Sequence, residues 1–224
     1  MKKVIMLLLS LVLITTFTIN IHAEEATNSK NTISPPKYSV QITNTETGEQ
    51  KQIFVNKNDV KVTKNEVTPI EGMIQGYSAS IYNNDKVYTE YLEIELGKEL
   101  AESFGLKVTN ESGSATKDSD VRVTAGLTYS TNASNNTVKI HNAFGSTVNK
   151  GYYYVQKRAF YWRNPGSGNF SHLLPSSASW NYSVSDSWGT YSSSLQPYAI
   201  TEATVRVSGM DGERVISVTY YLSA

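Results

Sequence analysis

The clearest pattern in the chain is an alternation of aromatic and small polar residues between positions 180 and 188. Trp180, Tyr182, Val184, Asp186 and Trp188 occupy every second position, and serine or asparagine lies between them. Successive side chains of a β-strand point to opposite faces, so this spacing places the rings on one face and the serines on the other. The pattern predicts the central strand of a two-layer β domain, with its rings in the core.

Alternation of apolar and polar residues continues along the rest of the C-terminal half. Residues 121–141 predict a hairpin, and residues 203–222 predict a closing hairpin across a Gly-Met-Asp-Gly turn. Several short strands separated by Ser, Thr and Asn turns are typical of an all-β protein. We therefore expect a two-layer antiparallel β-sandwich, or an open barrel, over residues 121–224.

The segment 151–163 is aromatic on both of its faces. Strand spacing puts Phe160 and Trp162 on one face and Tyr153 and Tyr161 on the other. A strand of this kind suits a sheet that is covered on both sides.

Two further hairpins are predicted in the N-terminal half. The runs 38–43 and 51–55 flank a polar turn in which Gly48 supplies the positive φ of a tight turn. The runs 76–82 and 86–96 flank Asn-Asn-Asp, whose residues tolerate left-handed backbone. These signals predict an N-terminal β-hairpin region.

One short helix and one linker complete the predicted organisation. Apolar residues spaced by four, followed by Gly105, predict a helix over residues 97–104. Residues 111–120 are rich in Ser, Gly, Lys and Asp, which indicates a linker or long loop. The β-rich region 38–110 could be a separate domain, a propeptide or part of the sandwich.

The first 23 residues have the layout of a secretory signal peptide. Lys2 and Lys3 precede the apolar run 4–14, and Ala23 offers a small residue at the cleavage site. An uncleaved anchor is the alternative, but a spanning helix needs about 20 predominantly apolar residues. We expect cleavage after residue 23, a flexible leader over 24–37, and a secreted, extracellular protein.

The amino-acid composition excludes several kinds of functional site. The chain has no cysteine, which excludes disulfides, thiol catalysis and cysteine-ligated zinc. Its formal net charge is zero, with 16 acids and 10 bases in residues 24–120 and 4 acids and 8 bases in residues 121–224. Neither balance is basic enough to indicate a nucleic-acid partner. We expect no cofactor and a monomer, with membrane contact only through the signal peptide.

The region from residue 121 onward carries a resemblance. A Thr-rich first strand is followed by Val-Lys-Ile at 138–140, by aromatic-x-Tyr-Ser-x-x-x-x-aromatic at 180–188, and by Ala-Thr-Val at 203–205 with a terminal hairpin. This order resembles the small exported β-sandwich proteins of Gram-positive bacteria that carry no assigned activity. The resemblance implies the fold and export, and it implies no function.

Candidate catalytic groups are few. His141 and His172 lie in different segments and lack a His or Cys at ligand spacing, so neither predicts a zinc site. Glu93 and Glu95 share a strand face about 6.6 Å apart. That separation falls in the range of the two carboxylates of an inverting glycosidase. The alternative for both is an ordinary solvated strand face.

The aromatic excess is more informative than the acids. Secreted sandwiches that bind sugars use exposed rings that stack on apolar sugar faces, with polar groups nearby that set orientation. The alternative is that the rings form the core, because aromatics are strong strand formers. Asp186 interrupts the aromatic face, which indicates either a strand end or a buried carboxylate with a partner. The candidate ligand-binding residues are Tyr153, Tyr161, Trp162, Trp188 and Asp186.

These patterns favour a secreted, non-enzymatic β-sandwich protein that binds cell-envelope or other extracellular polysaccharide. Bases interleaved with tyrosine over 153–163 could also serve an anionic wall polymer. One alternative is a polysaccharide hydrolase that uses Glu93 and Glu95. A second is a membrane-active toxin that inserts the hairpin 121–141, although each predicted arm falls short of the 9 to 11 residues that span a bilayer.

Overall fold

A computed structural model gives the architecture. It describes residues 38–54, 60–67, 86–107, 119–132, 136–165, 170–184, 187–190, 192 and 195–222. The predicted signal peptide, the leader, the first arm 76–82 of the second hairpin, nearly all of the predicted linker, and Asp186 lie outside the described residues.

Strands dominate the described chain, and the predicted all-β sandwich is confirmed. The elements are β1 (Tyr38–Asn44), β2 (Gln50–Gln52), β3 (Val60–Val67), β4 (Val87–Leu96), α1 (Lys98–Ser103), β5 (Val121–Asn132), β6 (Thr137–Asn149), β7 (Tyr153–Arg163), β8 (Phe170–Leu173), β9 (Ser179–Ser183), β10 (Trp188–Thr190), β11 (Tyr198–Val207) and β12 (Arg214–Tyr221).

The strands form two six-stranded antiparallel sheets. Sheet A has the order β2-β1-β12-β11-β7-β8, and sheet B has the order β10-β6-β5-β4-β3, with β9 also paired to β6. The N-terminal β1 pairs with the C-terminal β12 over its whole length, and β4 pairs with β5. The described strands of residues 38–110 are therefore parts of the same sandwich as the strands that follow.

The turns follow the local sequence signals. Gly48 has φ +71° in the turn between β1 and β2, where its amide donates to the carbonyl of Asn44. The β5–β6 and β11–β12 hairpins also lie where alternation predicts them. The arms β5 and β6 contain 12 and 13 residues. The prediction that each arm is shorter than the 9 to 11 residues that span a bilayer was therefore wrong.

The core lies between the two sheets and contains many of the aromatic rings. On β5 the residues Val121, Val123, Ala125, Leu127 and Tyr129 face the core, as their alternation predicts. Sheet A is tied to sheet B through the core by Thr201, whose Oγ1 donates to the carbonyl of Thr124 at 2.7 Å. The largest fully buried side chains are Tyr129, Tyr153, Tyr220, Phe160, Leu92, Ile94, Leu96, Leu100, Leu127, Ile140, Ile216 and Leu222.

The segment 180–188 is not the central strand that its alternation predicts. It forms β9 and β10, two short strands on the edge of sheet B. β6 has a bulge at His141, so Asn142 and Lys139 on either side of it both face outward. Ser183 pairs with Asn142 and Trp188 pairs with Lys139, so these two residues also face outward. Trp180 therefore faces the core, and Trp188 lies on the outer face of sheet B.

A bulge in β7 produces a second correction. Val155 pairs with Val205 and Lys157 pairs with Thr204, which leaves Gln156 without a partner position on β11. This extra residue changes the face of everything before it. Tyr153 is consequently buried in the core, and it does not share a face with Tyr161 as strand spacing predicts.

Candidate functional site

The predicted ligand-binding residues fall into three groups. Tyr153 and Trp162 are core residues, with 1% and 7% of their surface exposed. Trp188 is 38% exposed on β10 at the edge of sheet B, and Tyr161 lies on the outer face of sheet A. The structure therefore does not bring these residues together, and Asp186 lies outside the described residues.

Tyr161 belongs to a cluster of rings on the outer face of sheet A. We call Tyr161, His172, Tyr198 and Tyr221 the aromatic platform. Strand pairing places them in two adjacent rows, because Tyr161 is opposite His172 of β8 and Tyr198 is opposite Tyr221 of β12. Arg163 extends the second row on the other side of Tyr198. The platform thus spans four neighbouring strands.

The rings of the platform pack on each other in two pairs. The rings of Tyr161 and His172 are parallel, with an interplanar angle of 3° and centroids 4.6 Å apart. Tyr198 and Tyr221 meet edge to face, with centroids 6.2 Å apart. Such contacts hold each ring in one orientation. His172 is exposed while the three tyrosines are half-buried, so ring faces and edges remain accessible to a ligand.

One carboxylate lies beside the platform. Tyr161 donates a hydrogen bond from its hydroxyl to Oε2 of Glu202 at 3.2 Å. Burial raises the pKa of Glu202, while hydrogen bonds from Tyr161 and Ser217 and the nearby His172 act in the opposite direction. Burial together with Glu202 raises the pKa of Tyr161 to about 12, so its hydroxyl stays protonated at neutral pH.

The strands of sheet A offer Glu202 no second carboxylate for hydrolysis. It is the one acidic residue among the strands of sheet A, as the sequence of those six strands shows. Two-carboxylate hydrolysis requires a general acid and a nucleophile or base on opposite sides of the bond. The platform can therefore stack and hydrogen-bond a ligand, but these strands do not supply that catalytic pair.

The strands of sheet A are otherwise basic. They carry six Lys or Arg residues and one acid, a net charge of +5, whereas the strands of sheet B carry four of each, a net charge of zero. On the outer face, Arg163 and Lys157 flank Tyr161 along β7, and Arg206 pairs with Glu213. The bases on the strands of sheet A are Lys51, Lys157, Arg158, Arg163, Arg206 and Arg214.

Glu93 and Glu95 lie on the outer face of sheet B, on the shared strand face that the sequence predicts. The Glu93 carboxylate is 3.6 Å from Nζ of Lys61, and the Glu95 carboxylate is 3.2 Å from Arg122 on β5. Each acid has its own cross-strand cation, which is the ordinary arrangement of a solvated strand face. A catalytic role for the pair stays a prediction.

The two histidines of the described chain lie on different sheets. His172 belongs to the platform, whereas Nε2 of His141 lies 2.9 Å from the hydroxyl of Ser130 on β5. Ser130 is 1% exposed, so its hydroxyl is not accessible to a substrate. Among the described residues, no group of three or more His, Asp or Glu side chains could hold a metal ion.

Sequence reasoning missed one buried carboxylate. Glu90 faces the core of the sandwich, where it accepts a hydrogen bond from the Tyr129 hydroxyl at 2.8 Å. Nζ of Lys64 on the edge strand β3 lies 3.9 Å from Glu90, and it also lies over the rings of Tyr88 and Tyr129. The sequence contains the signal for this burial. Leu92, Ile94 and Leu96 occupy alternate positions on the core face of β4, and Glu90 is the preceding position of the same row.

Comparison of the chain with protein-family models, with curated proteins and with solved structures found no match. None of the helical residues described in the structure forms a segment with the length and apolar character needed to cross a membrane.

Proposed function

We propose that the protein is a secreted, non-enzymatic binding protein whose aromatic platform binds a cell-envelope or other extracellular polysaccharide. The observation that supports the proposal is the platform itself, in which Tyr161, His172, Tyr198 and Tyr221 lie together on the outer face of sheet A. Rings spread over four neighbouring strands suit an extended polymer, since several sugar rings can stack along them. Secretion rests on the signal-peptide pattern of residues 1–23.

The polar groups around the platform match the chemistry of a polysaccharide. Glu202 accepts hydrogen bonds from sugar hydroxyls, and Arg163 next to Tyr198 donates them. On the outer face of sheet A, Lys157 and Arg163 outnumber the single strand acid Glu202, which further favours a polymer that carries carboxylates or phosphates. Binding to such a polymer should weaken as the salt concentration rises.

The test is a co-sedimentation assay with the protein collected from the medium of an expressing host. N-terminal sequencing of that protein checks cleavage after Ala23. The protein is mixed with insoluble peptidoglycan, cellulose, chitin and liposomes. We expect pelleting with one polymer, and loss of that pelleting in the double variant Tyr161→Ala, Tyr198→Ala.

Tyr154→Ala is the matched control. Tyr154 is an exposed tyrosine on the outer face of sheet A, towards the opposite end of β7 from the platform. Its variant should pellet as the unmodified protein does. Equal pelleting of the platform variant would move the site elsewhere, and no pelleting with any polymer would remove the proposal. Pelleting with liposomes alone would favour the membrane-active alternative.

A further inference from the structure

A shallow depression of about 410 Å³ lies on the outer face of sheet B, away from the aromatic platform. Strand pairing shows that its rim residues point outward, because Ser146 is opposite both Thr124 and Ser179, and Asn181 is opposite Phe144. Gly145 and Trp180, which are opposite each other, form its floor. The lining consists of Thr124, Phe144, Gly145, Ser146, Ser179, Trp180 and Asn181.

The lining contains no ionisable side chain. Its outward-facing polar side chains are three hydroxyls and one carboxamide. In the row that contains Thr124, the nearest charges are Glu93 and Lys61, and these two neutralise each other. A charged ligand would find no partner of opposite sign in this lining, so the chemistry favours an uncharged ligand with several hydroxyls.

The aromatic wall of the depression is held in place by close packing. Phe144 meets Tyr91 edge to face, with centroids 6.2 Å apart. The two rings approach each other over Gly126, where a Cβ atom would lie 2.5 Å from Cζ of Phe144. Glycine at this position therefore lets Phe144 lie flat across the sheet, as a ring that stacks on a sugar must.

The polar groups are also fixed before any ligand binds. Nδ2 of Asn142 donates to Oδ1 of Asn181 at 3.0 Å, which orients the carboxamide and leaves its N–H groups as donors. The floor is tied to sheet A by the bond from Thr201 to the carbonyl of Thr124. A site that is rigid in advance loses less entropy when it binds a ligand.

Trp180 supports the floor from the core side of the sheet. Its ring meets Phe160 of sheet A edge to face, with centroids 5.6 Å apart. It also lies close beneath Gly145, where a Cβ atom would be 2.9 Å from Cζ2 of Trp180, so the floor has little freedom to move.

We propose that this depression is a separate binding site for one uncharged sugar ring, at the end of a neutral oligosaccharide or on a branch. Phe144 packs against the apolar face of the ring. Asn181 and the hydroxyls of Ser146 and Ser179 bond to hydroxyls at its edge. The site shares no residue with the aromatic platform and does not depend on it.

The experiment is a calorimetric titration of the secreted protein with neutral hexasaccharides built from β-1,4-linked glucose, xylose, mannose or N-acetylglucosamine. We expect one of the four to bind. Phe144→Leu and Asn181→Ala should each weaken that binding by about tenfold. Ser183→Ala is the matched control, because Ser183 lies on the same strand and face as Asn181 but outside the lining.

The platform variant Tyr161→Ala, Tyr198→Ala should bind this hexasaccharide with unchanged affinity. Unchanged melting temperatures of Phe144→Leu and Asn181→Ala would show that lost binding is not lost folding, and a variant that fails this check is replaced by Ser179→Ala. Absence of binding by all four hexasaccharides would overturn the proposal. Equal affinity of all lining variants, or loss of binding in the platform variant alone, would also overturn it.

Discussion

The carboxylates on the outer faces of the two sheets have different kinds of partner. On sheet B, Glu93 and Glu95 each face a cation on a neighbouring strand. On sheet A, the partly buried Glu202 accepts hydrogen bonds from the hydroxyls of Tyr161 and Ser217. The same alternation of buried and exposed positions builds both faces, so alternation does not decide what a face can bind. The cross-strand neighbours of each outward side chain decide it.

The difference in charge between the sheets comes from the chain topology. The acidic N-terminal region contributes β3 and β4 to sheet B, where bases on β3, β5 and β6 balance them. The basic C-terminal region contributes β7, β11 and β12 to sheet A, together with the uncharged β1. An imbalance that runs along the sequence therefore becomes an imbalance between the strands of the two sheets.

The largest expected effect is on the free energy of unfolding, and it distinguishes a buried tryptophan from an exposed one. Trp162 packs in the core against Phe160 and Tyr182, so Trp162→Ala should lower the free energy of unfolding by about 3–5 kcal/mol. Trp188→Ala should lower it by less than about 1 kcal/mol, since Trp188 lies on the outer face of sheet B. Urea denaturation measures both. A large cost for Trp188→Ala would contradict its outward position.

A second comparison uses two acids of the same strand. Glu90→Ala removes a buried acceptor of the Tyr129 hydroxyl and the anion beside the ammonium of Lys64, and we expect a loss of about 3 kcal/mol. Glu95→Ala, on the opposite face of β4, removes an exposed ion pair that contributes about 1 kcal/mol or less. Equal losses in urea denaturation would show that Glu90 is not buried as described.

The pH dependence of stability should distinguish Glu202 from the ion-paired acids. Its pKa is raised in the folded protein, so the folded state binds this proton more readily than the unfolded state does. Its contribution to stability then becomes less favourable as pH rises from the ordinary value of 4.5 through the folded pKa. Glu202→Gln removes this cost and should gain stability relative to the unmodified protein over that window. A difference that does not change with pH would contradict burial as the cause.

The smallest expected effect concerns the ion pairs on sheet B. A double-mutant cycle between Lys61 and Glu93 should give a coupling of about 0.2–1 kcal/mol, because the lysine is largely exposed. The coupling should decrease in high salt. Persistence of the full coupling in 1 M salt, where the screening length is about 3 Å, would indicate a buried pair.

Alternation predicted the faces of each strand correctly wherever the pairing is regular. It placed Leu92, Ile94 and Leu96 inside, together with the apolar residues of β5. It failed for Tyr153 and Trp188, because an extra residue in a strand reverses the face without changing the hydrophobic pattern. The bulge at Gln156 carries no local signal that distinguishes it from a regular position.

The aromatic platform could not be assembled from sequence alone. Its residues come from β7, β8, β11 and β12, and their proximity depends on which strands are neighbours in sheet A. Tyr161 could be named as an exposed ring, but its contacts with His172 and Glu202 require the pairing of β7 with β8 and with β11. Glu90 is the exception, since extending one alternating row finds it.

The pairing of β1 with β12 has a consequence for the order of folding. Tyr38 lies opposite Tyr220, so the first described residue can take its place in the sheet only after the C-terminal strand has been made. Because β12 lies between β1 and β11, sheet A stays divided until the C-terminal strand is available. Contacts of such long sequence separation form slowly. A chain that is synthesised from its N-terminus therefore cannot complete this sheet until nearly all of the described sequence is available.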